Sequence, residues 1–536
     1  MNTVKKVISK IIQWPYFPLV IIEVVLFFLY FNTLAPGYTW SHEGWDAGDL
    51  LASIKVMGLA HPPGTPLYLM VGKLFSYLPI GNFAYRLNFM SLFWALCGLL
   101  FLYRSVYVLT RNRTAAALAT FITGTAKILW EQAVITEVNT FTFFFGMVLI
   151  STLLNLLTCI TKDLPISKAG WKKITLLFFI LGLSLTNHLL PLLLVPGIVF
   201  SLILKRGRLM RVTSNSIKRV LVITAAFIIG LTPYLYVPLR ALANPILNWG
   251  DPSSFSRLIS YASASQYHEQ FTEVSAYFLD GFVRYAELLI KSIGLIPAMV
   301  AIFGLFALWK KRAFPELIFI TCSMGAYILF IFHYVEAMTN SYSLILIGLT
   351  ALLLAVGYDY LVKHIQYRSA GLTLGLLFAG YAMAHTYALY PTIDLSHDYG
   401  PDIYTHEALK DIEQDAIVLA SSDHLIFALY YSRYILYPER NDIKLMVSGI
   451  YYDKLTFGQS KDAFPDLVFP ESEFGKTDAI ADEGLLRFVD ANSHTHAIYT
   501  TLDYPPPALG SYDEKIFRDR LLEQKGVLYH FADIKN

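Results

Sequence analysis

Eleven stretches of this chain are apolar over lengths close to a bilayer span, and no other feature limits its fold so strongly. They fall near 17–34, 84–109, 114–129, 138–160, 173–187, 188–204, 219–239, 286–309, 314–333, 341–361 and 370–389. A spanning helix needs roughly 20 apolar residues. The chain is 55% hydrophobic and 15% charged, where a soluble domain carries about 25% charged residues. The expected fold is mainly α, a polytopic membrane protein of about 11 transmembrane helices. Short members of the pairs 114–129/138–160 and 173–187/188–204 could be tilted or re-entrant.

The placement of basic residues gives an orientation. Alternate loops carry Arg111 and Arg113; Lys162, Lys168, Lys172 and Lys173; Lys205 through Arg219; Lys310, Lys311 and Arg312; and Lys363 and Arg368. The opposite loops hold Glu43, Asp46, Asp49, Glu131, Glu137, Asp251, Glu269 and Glu336. Under the positive-inside rule the N-terminus is cytoplasmic, and an odd number of spans leaves the C-terminal region outside. Lys5, Lys6 and Lys10 precede the first apolar run with no small-residue cleavage site, which reads as a retained anchor. Net charge is +2 and no basic tract points to nucleic acid. Cys97, Cys159 and Cys322 lack metal-ligand spacing.

Composition changes near Pro391. Helix-like and strand-like periods alternate from there, giving a membrane core over 1–390 and a small soluble α/β domain over 391–536. Within the latter, Asp423 and His424 follow the strand-like AIVLAS, where α/β domains bind ligands or cap a helix.

The chemistry collects on the outer face. The first outer loop, 35–83, contains WSHEGWDAGDLLASIKVMGLAHPPGTPLY, too polar and too broken to span. Asp46 and Asp49 are three apart and share a face if Asp46 to Met57 is helical. Such carboxylates could act as general base, metal ligands or helix caps. The HPPGTP run, with His61, ends that helix in a turn. Later loops add Glu137 and Asn139; Asn187 and His188; Arg240, Asn244, Trp249 and Asp251; and Glu336. Ionisable groups at membrane depth usually face a cavity. Arg240, with Lys73 and Arg86, suits a phosphate at headgroup level, with snorkelling as the alternative for the latter two. The tryptophans and tyrosines of these loops read mostly as an interfacial belt. There is no glycine-rich phosphate loop, HExxH or Ser-His-Asp order, which favours a lipid-borne phosphate over a soluble nucleotide.

APGYTW and DAGDLLASIKVMGLAHPPGTPLYLMVGKLFSYLPIGNFAYRLNFMS, LGLSLTNHLLPLLLVPG, YLYVPLRALANPILNWGDP and AIVLASSDHLIFALYY together resemble a family long known as a domain of unknown function. Its usual form has Asp-x-Gly-Glu followed by His-Pro-Pro-Gly-x-Pro-Leu-Tyr; here the Glu position holds Asp49. Animal members are implicated as endoplasmic-reticulum protein O-mannosyltransferases, a branch of the GT-C glycosyltransferases. The resemblance implies sugar transfer from a polyprenyl-phosphate donor, needing no cofactor, to a protein or glycan acceptor at the outer membrane face. Asp46 would be the general base and Arg240, with Lys73 or Arg86, would hold the donor phosphate. Asp49, His61, Glu137, Asn187, His188, Asn244, Trp249, Asp251 and Glu336 would line the cleft. A transporter or flippase of a lipid-linked sugar is the rival reading, although no internal repeat supports it. The exposed C-terminal region lacks an Asn-x-Ser/Thr sequon, pointing to a bacterial inner membrane; a eukaryotic chain would sit in the endoplasmic reticulum.

Overall fold

The computed structural model describes residues 13–160, 166–206, 214–270, 278–333, 340–365, 368–452, 454–474, 478–501 and 522–531. Glu336, Lys5, Lys6, Lys10, Lys162, Arg208 and Arg211 lie outside the described residues. Each of the eleven apolar runs is helical over most of its described length. Among the described residues four helices are long and apolar enough to cross a membrane: Phe83–Thr110, Asn139–Leu157, Phe314–Ile331 and Ser341–His364. Two bent pairs raise this to six if each counts as one span.

The run 286–309 is where helix and apolar stretch differ most. It is split into Phe278–Ile293 and Leu295–Lys310, bent by 119°. Gly294 stands at the break with φ +84°, a conformation that costs other residues dearly. The run 219–239 bends by 48° before Pro233, and 188–204 starts as a 3-10 turn over Leu190–Leu194 around Pro191. Proline removes a helix hydrogen bond and clashes with the preceding turn, so these breaks follow from the sequence.

The helix Leu344–His364 runs through the centre, buried continuously from Leu344 to Asp359. It packs against Leu295–Lys310, Arg113–Gly124, Phe83–Thr110 and Asn139–Leu157. Phe17–Asn32, by contrast, exposes Val20, Val24, Val25, Phe28 and Phe31 along its outer side, as a bilayer-facing helix should. At one end of the bundle Asp359 receives Lys311 at 3.0 Å, Lys363 at 2.9 Å and Asn112 Nδ2 at 3.1 Å. Arg113, next to Asn112 in the chain, donates to the Trp14 carbonyl at 2.9 Å. These groups come from loops whose basic residues marked them as cytoplasmic. The acidic loops meet elsewhere: Asn340 donates to Glu43 at 3.0 Å, and His42 lies 3.3 Å from Glu131.

After the helix Arg368–Ile393 the chain builds a five-stranded sheet in the order β2-β1-β3-β5-β4. The strands are β1 (Ile417–Ala420), β2 (Lys444–Val447), β3 (Ile498–Thr500), β4 (Leu522–Lys525) and β5 (Leu528–Phe531). β1 pairs in parallel with β2 and β3, whereas β5 runs antiparallel to β3 and β4. All of β1 is buried, as a central parallel strand must be. The helix Asp423–Tyr431 leaves the end of β1 and lies against Ala47–Val56 of the first outer loop.

Candidate active site

The first outer loop opens with a 3-10 turn, Ser41–Asp46, in which His42 and Glu43 have φ of 59° and 65°. The helix Ala47–Val56 comes next, one residue inside the expected bounds at each end. Asp46 occupies its N-cap position but its side chain makes no capping hydrogen bond. The carboxylate is turned to other use.

His61 lies between the two aspartates. Its Nδ1 is 2.8 Å from Asp49 Oδ2, and its backbone N–H donates to that same oxygen at 2.8 Å. Its Nε2 is 3.4 Å from Asp46 Oδ2. Asp49 is buried, while the Asp46 side chain keeps 25% of its surface exposed. One carboxylate therefore fixes the ring and the other faces outward. Burial works against charge on His61, but Asp46, Asp49 and Glu137 outweigh it and push its pKa up to about 10. The ring is an imidazolium at neutral pH. Glu137 is moved the other way: burial, then Asp46, holds its carboxyl well above the usual range against the pull of His61.

Glu137, Asn139 and Asn187 form a polar floor. Asn187 Nδ2 donates to Thr142 Oγ1 at 2.8 Å and lies 3.4 Å from the Val138 carbonyl, which ties it to the segment carrying the other two. Glu137 Oε1, Asn139 Oδ1 and Asn187 Oδ1 are buried with no hydrogen-bond partner among the described residues. Buried acceptors of this kind normally find a donor.

The turn carrying His61 is held from behind. Tyr236 donates to the Gly58 carbonyl at 2.9 Å, Tyr234 to Pro63 at 3.4 Å, and Tyr261 to Ala60. Leu59 N–H meets the Leu247 carbonyl at 2.8 Å, which brings Trp249 to within 6.3 Å of the His61 ring. Trp130 is fully buried and donates to Thr33 Oγ1 at 2.9 Å. Trp130, Tyr234, Tyr236 and Tyr261, expected as an interfacial belt, are internal supports because their polar tips find partners inside.

The other expected site residues are spread around this centre. Arg240 gives Nε to the Met57 carbonyl and Nη2 to Val56 at 3.3 Å, closing the end of the helix that carries Asp49. That end is about 12 Å from Asp49 at 1.5 Å per residue. Lys73 meets the Lys55 carbonyl at 2.9 Å, and Arg86 meets those of Ser76, Ile80 and Gly81. Asn244 and Asp251 take left-handed conformations at turns, and Asp251 pairs with Arg257. His188 accepts from Leu190 N–H at 3.2 Å and packs on Tyr342.

Three contributors were not expected at the site from sequence: Glu43, His42 and Phe427. Glu43 accepts from Asn340 and Ser341, and His42 pairs with Glu131, which also holds Lys127. Beside them is a cavity of about 330 Å³, lined by Lys127, Arg284, Lys291, Ser292 and Asn340 among others. Phe427 stacks on His61, with ring centroids 5.9 Å apart and planes inclined by 22°. Its one signal in the sequence was its place in AIVLASSDHLIFALYY. Away from this site, Asp415, Asp466 and His496 stand close enough to bind a cation. Lys444 already contacts both carboxylates, so positive charge is supplied there internally.

Comparison with known proteins matches the aspartate-bearing helix of this loop and the membrane helices after it. Residues 46–211 fit the family model of the TMEM260 protein O-mannosyl-transferase N-terminal domain. The resemblance read from the sequence is thereby borne out. The mouse protein O-mannosyl-transferase TMEM260 is 24% identical over 487 residues, covering 84% of this chain and 65% of the mouse protein. The Dictyostelium discoideum TMEM260 protein is 24% identical over 316 residues, 54% of this chain and 37% of that protein. The chain thus spans less than two thirds of either TMEM260 relative. Among solved structures, ArnT from Cupriavidus metallidurans bound to undecaprenyl phosphate superposes with a TM-score of 0.58 at 11% identity, covering 96% of this chain and 97% of ArnT. The Archaeoglobus fulgidus oligosaccharyltransferase in complex with Zn and sulfate gives 0.56 at 13% identity, over 90% and 68% of the two chains. The TMEM260-like sequence therefore has the fold of the GT-C glycosyltransferases.

Proposed function

We propose that this chain is a membrane glycosyltransferase that moves a sugar from a polyprenyl-phosphate donor to a hydroxyl acceptor. The observation that carries this is His61 clamped between a buried Asp49 and an outward-facing Asp46. Asp46 takes the acceptor proton as the acceptor oxygen bonds to the sugar's anomeric carbon. The bond from that carbon to the phosphate oxygen breaks, and its electron pair leaves with the polyprenyl phosphate. The His61 imidazolium sets a positive charge beside Asp46, and Asp49 orients His61. Glu137, Asn139 and Asn187 offer acceptors to sugar hydroxyls. His61 supplies the positive charge between the aspartates, so the reaction as proposed uses no resident metal.

The donor phosphate is assigned to Arg240, with Lys73 or Arg86, each exchanging a helix-end carbonyl for a phosphate oxygen. The cavity lined by Lys127, Arg284 and Lys291 gives a second place for it, with Glu131 and Glu287 in the same lining already paired to the two lysines. Eleven spans, with the N-terminus in the cytoplasm, put the site and the domain 391–536 outside: in the periplasm of a bacterium or the lumen of the endoplasmic reticulum. The names of the TMEM260 relatives favour a protein hydroxyl as acceptor and mannose as sugar.

The test is turnover in lipid. Purified protein is given radiolabelled polyprenyl-phosphate mannose, glucose or arabinose with candidate acceptors, and release of polyprenyl phosphate is followed. Turnover of one donor is expected, abolished in a folded Asp46→Asn variant. Arg240→Ala and Arg284→Ala, compared for donor KM, decide between the two phosphate positions. Binding of donor without turnover would sink the enzyme reading in favour of transport.

A further inference from the structure

The sheet-bearing part of the chain does more than rest on the first outer loop. Ser41 Oγ donates to Asp398 at 3.0 Å, Tyr38 stacks on Tyr431 at 5.1 Å, and His424 stands edge-on to Trp40 at 6.1 Å. The helix Asp423–Tyr431 meets Ala47–Val56 backbone to backbone: a Cβ added at Gly48 would lie 2.3 Å from the Phe427 carbonyl oxygen. That approach, between the two aspartates in sequence, brings the Phe427 ring over His61. Phe427 is 2% exposed, and its ring also reaches Trp249 at 6.1 Å. His61 is thus fixed within its plane by Asp46 and Asp49, and across its face by an aromatic ring from the other part of the chain.

We infer that Phe427 is a positioning residue of the site, whose ring holds the His61 imidazole in line with Asp46 and shields it from water. This rests on the proposed transfer reaction for its effect on rate, but not for its effect on His61. An aromatic face attracts a cation as well as packing against it. Without the ring, His61 keeps its hydrogen bonds to Asp49 but can swing about them. A displacement near 1 Å at a reacting group costs on the order of 100-fold in rate.

Two variants reach the contact by different routes: Phe427→Leu removes the ring and keeps apolar volume, and Gly48→Ala pushes the helices apart. Full-length protein in lipid is assayed for kcat, donor KM, thermal unfolding and the rate at which diethyl pyrocarbonate modifies His61 at fixed pH. Both variants are expected to lower kcat by about 10- to 100-fold, with donor KM little changed and His61 modified faster. Phe427→Tyr, which keeps the ring, is expected to retain wild-type kcat and protection. Unchanged His61 modification in Phe427→Leu would overturn the inference. So would an equal loss in Phe427→Leu and Phe427→Tyr. If no variant and no wild-type preparation transfers sugar, faster His61 modification still supports the positioning role while the transfer reading falls.

Discussion

Ser341 donates its backbone N–H to Glu43 Oε2 at 3.2 Å, across 298 residues of sequence. Asn340 Nδ2 reaches the other oxygen of the same carboxylate at 3.0 Å. Glu43 itself sits in a left-handed conformation, three residues before Asp46. This clasp ties the turn that presents Asp46 to the start of the central helix.

Removing the clasp should loosen both. Glu43→Ala is expected to cost about 0.5–1.5 kcal/mol, the usual net worth of hydrogen bonds from partly exposed donors. Thermal unfolding in lipid measures this, and a variant as stable as wild type would refute it. Activity should fall with it, since Asp46 comes directly after the turn.

Asp49 should matter through His61. Asp49→Asn removes the charge that two N–H groups of His61 share at 2.8 Å. Hydrogen bonds to a charged group contribute about 1.5–3 kcal/mol, and a stability loss in that range is expected. Sugar transfer should drop at least about 10-fold, as a misplaced His61 disturbs Asp46. Wild-type activity in Asp49→Asn would show that the ring needs no such anchor.

The stability that His61 gives should depend on pH with a defined sign. Its folded pKa is raised from 6.5 to about 10, so the folded state binds the proton more tightly. The contribution is complete below about 6.5, declines above it and is gone once pH passes the folded value. Unfolding of wild type and His61→Gln should therefore differ most near pH 6 and converge towards pH 10. A gap that stays constant across that window would contradict the ion pairs described.

Glu137 should behave in the opposite sense. Burial and Asp46 hold its carboxyl well above the ordinary value of 4.5, so the folded state keeps its proton more tightly than the unfolded chain. Stability is lost as pH rises from about 4.5 towards the folded value. Glu137→Gln, neutral at every pH, is expected to equal or exceed wild-type stability at pH 8 and to lose that advantage near pH 5. Denaturant titrations at the two pH values test this, and a less stable Gln variant at pH 8 would reverse the assignment.

At the opposite end, the fully buried Asp359 gathers Lys311 and Asn112 from two other segments and Lys363 from the next turn of its own helix. Asp359→Asn should cost about 1 kcal/mol, because the two lysines that lose their shared anion are partly exposed. Sugar transfer at saturating donor should be unchanged in the protein that remains folded. Loss of activity without loss of stability would mean that this end communicates with the site.

The sequence made the outline of the fold readable because hydropathy is local. Each apolar run is helical, and the AIVLAS segment contains β1. The acidic first loop was readable too, because Asp46, Asp49 and His61 break an otherwise apolar pattern. The partners of those residues were not. Arg240 reads as a phosphate ligand, but nothing in the sequence shows that its guanidinium rests on the Met57 and Val56 carbonyls. Tyr236 and Tyr261 read as interfacial until their hydroxyls are found on the turn before His61. Phe427 is one apolar residue among many in its helix. In each case the deciding contact joins segments far apart in the chain, and periodicity carries no information about such pairs.

The contact between Phe427 and His61 also sets an order of manufacture. Every carboxylate near His61 has left the ribosome once the first few apolar helices are made. Phe427 comes only after the last of them has been threaded into the bilayer, and Asn340 and Ser341 come shortly before it. A nascent or prematurely released chain would hold the acids of the site without the parts that align them. Alignment of His61 with Asp46 is thus a late event in the making of the chain.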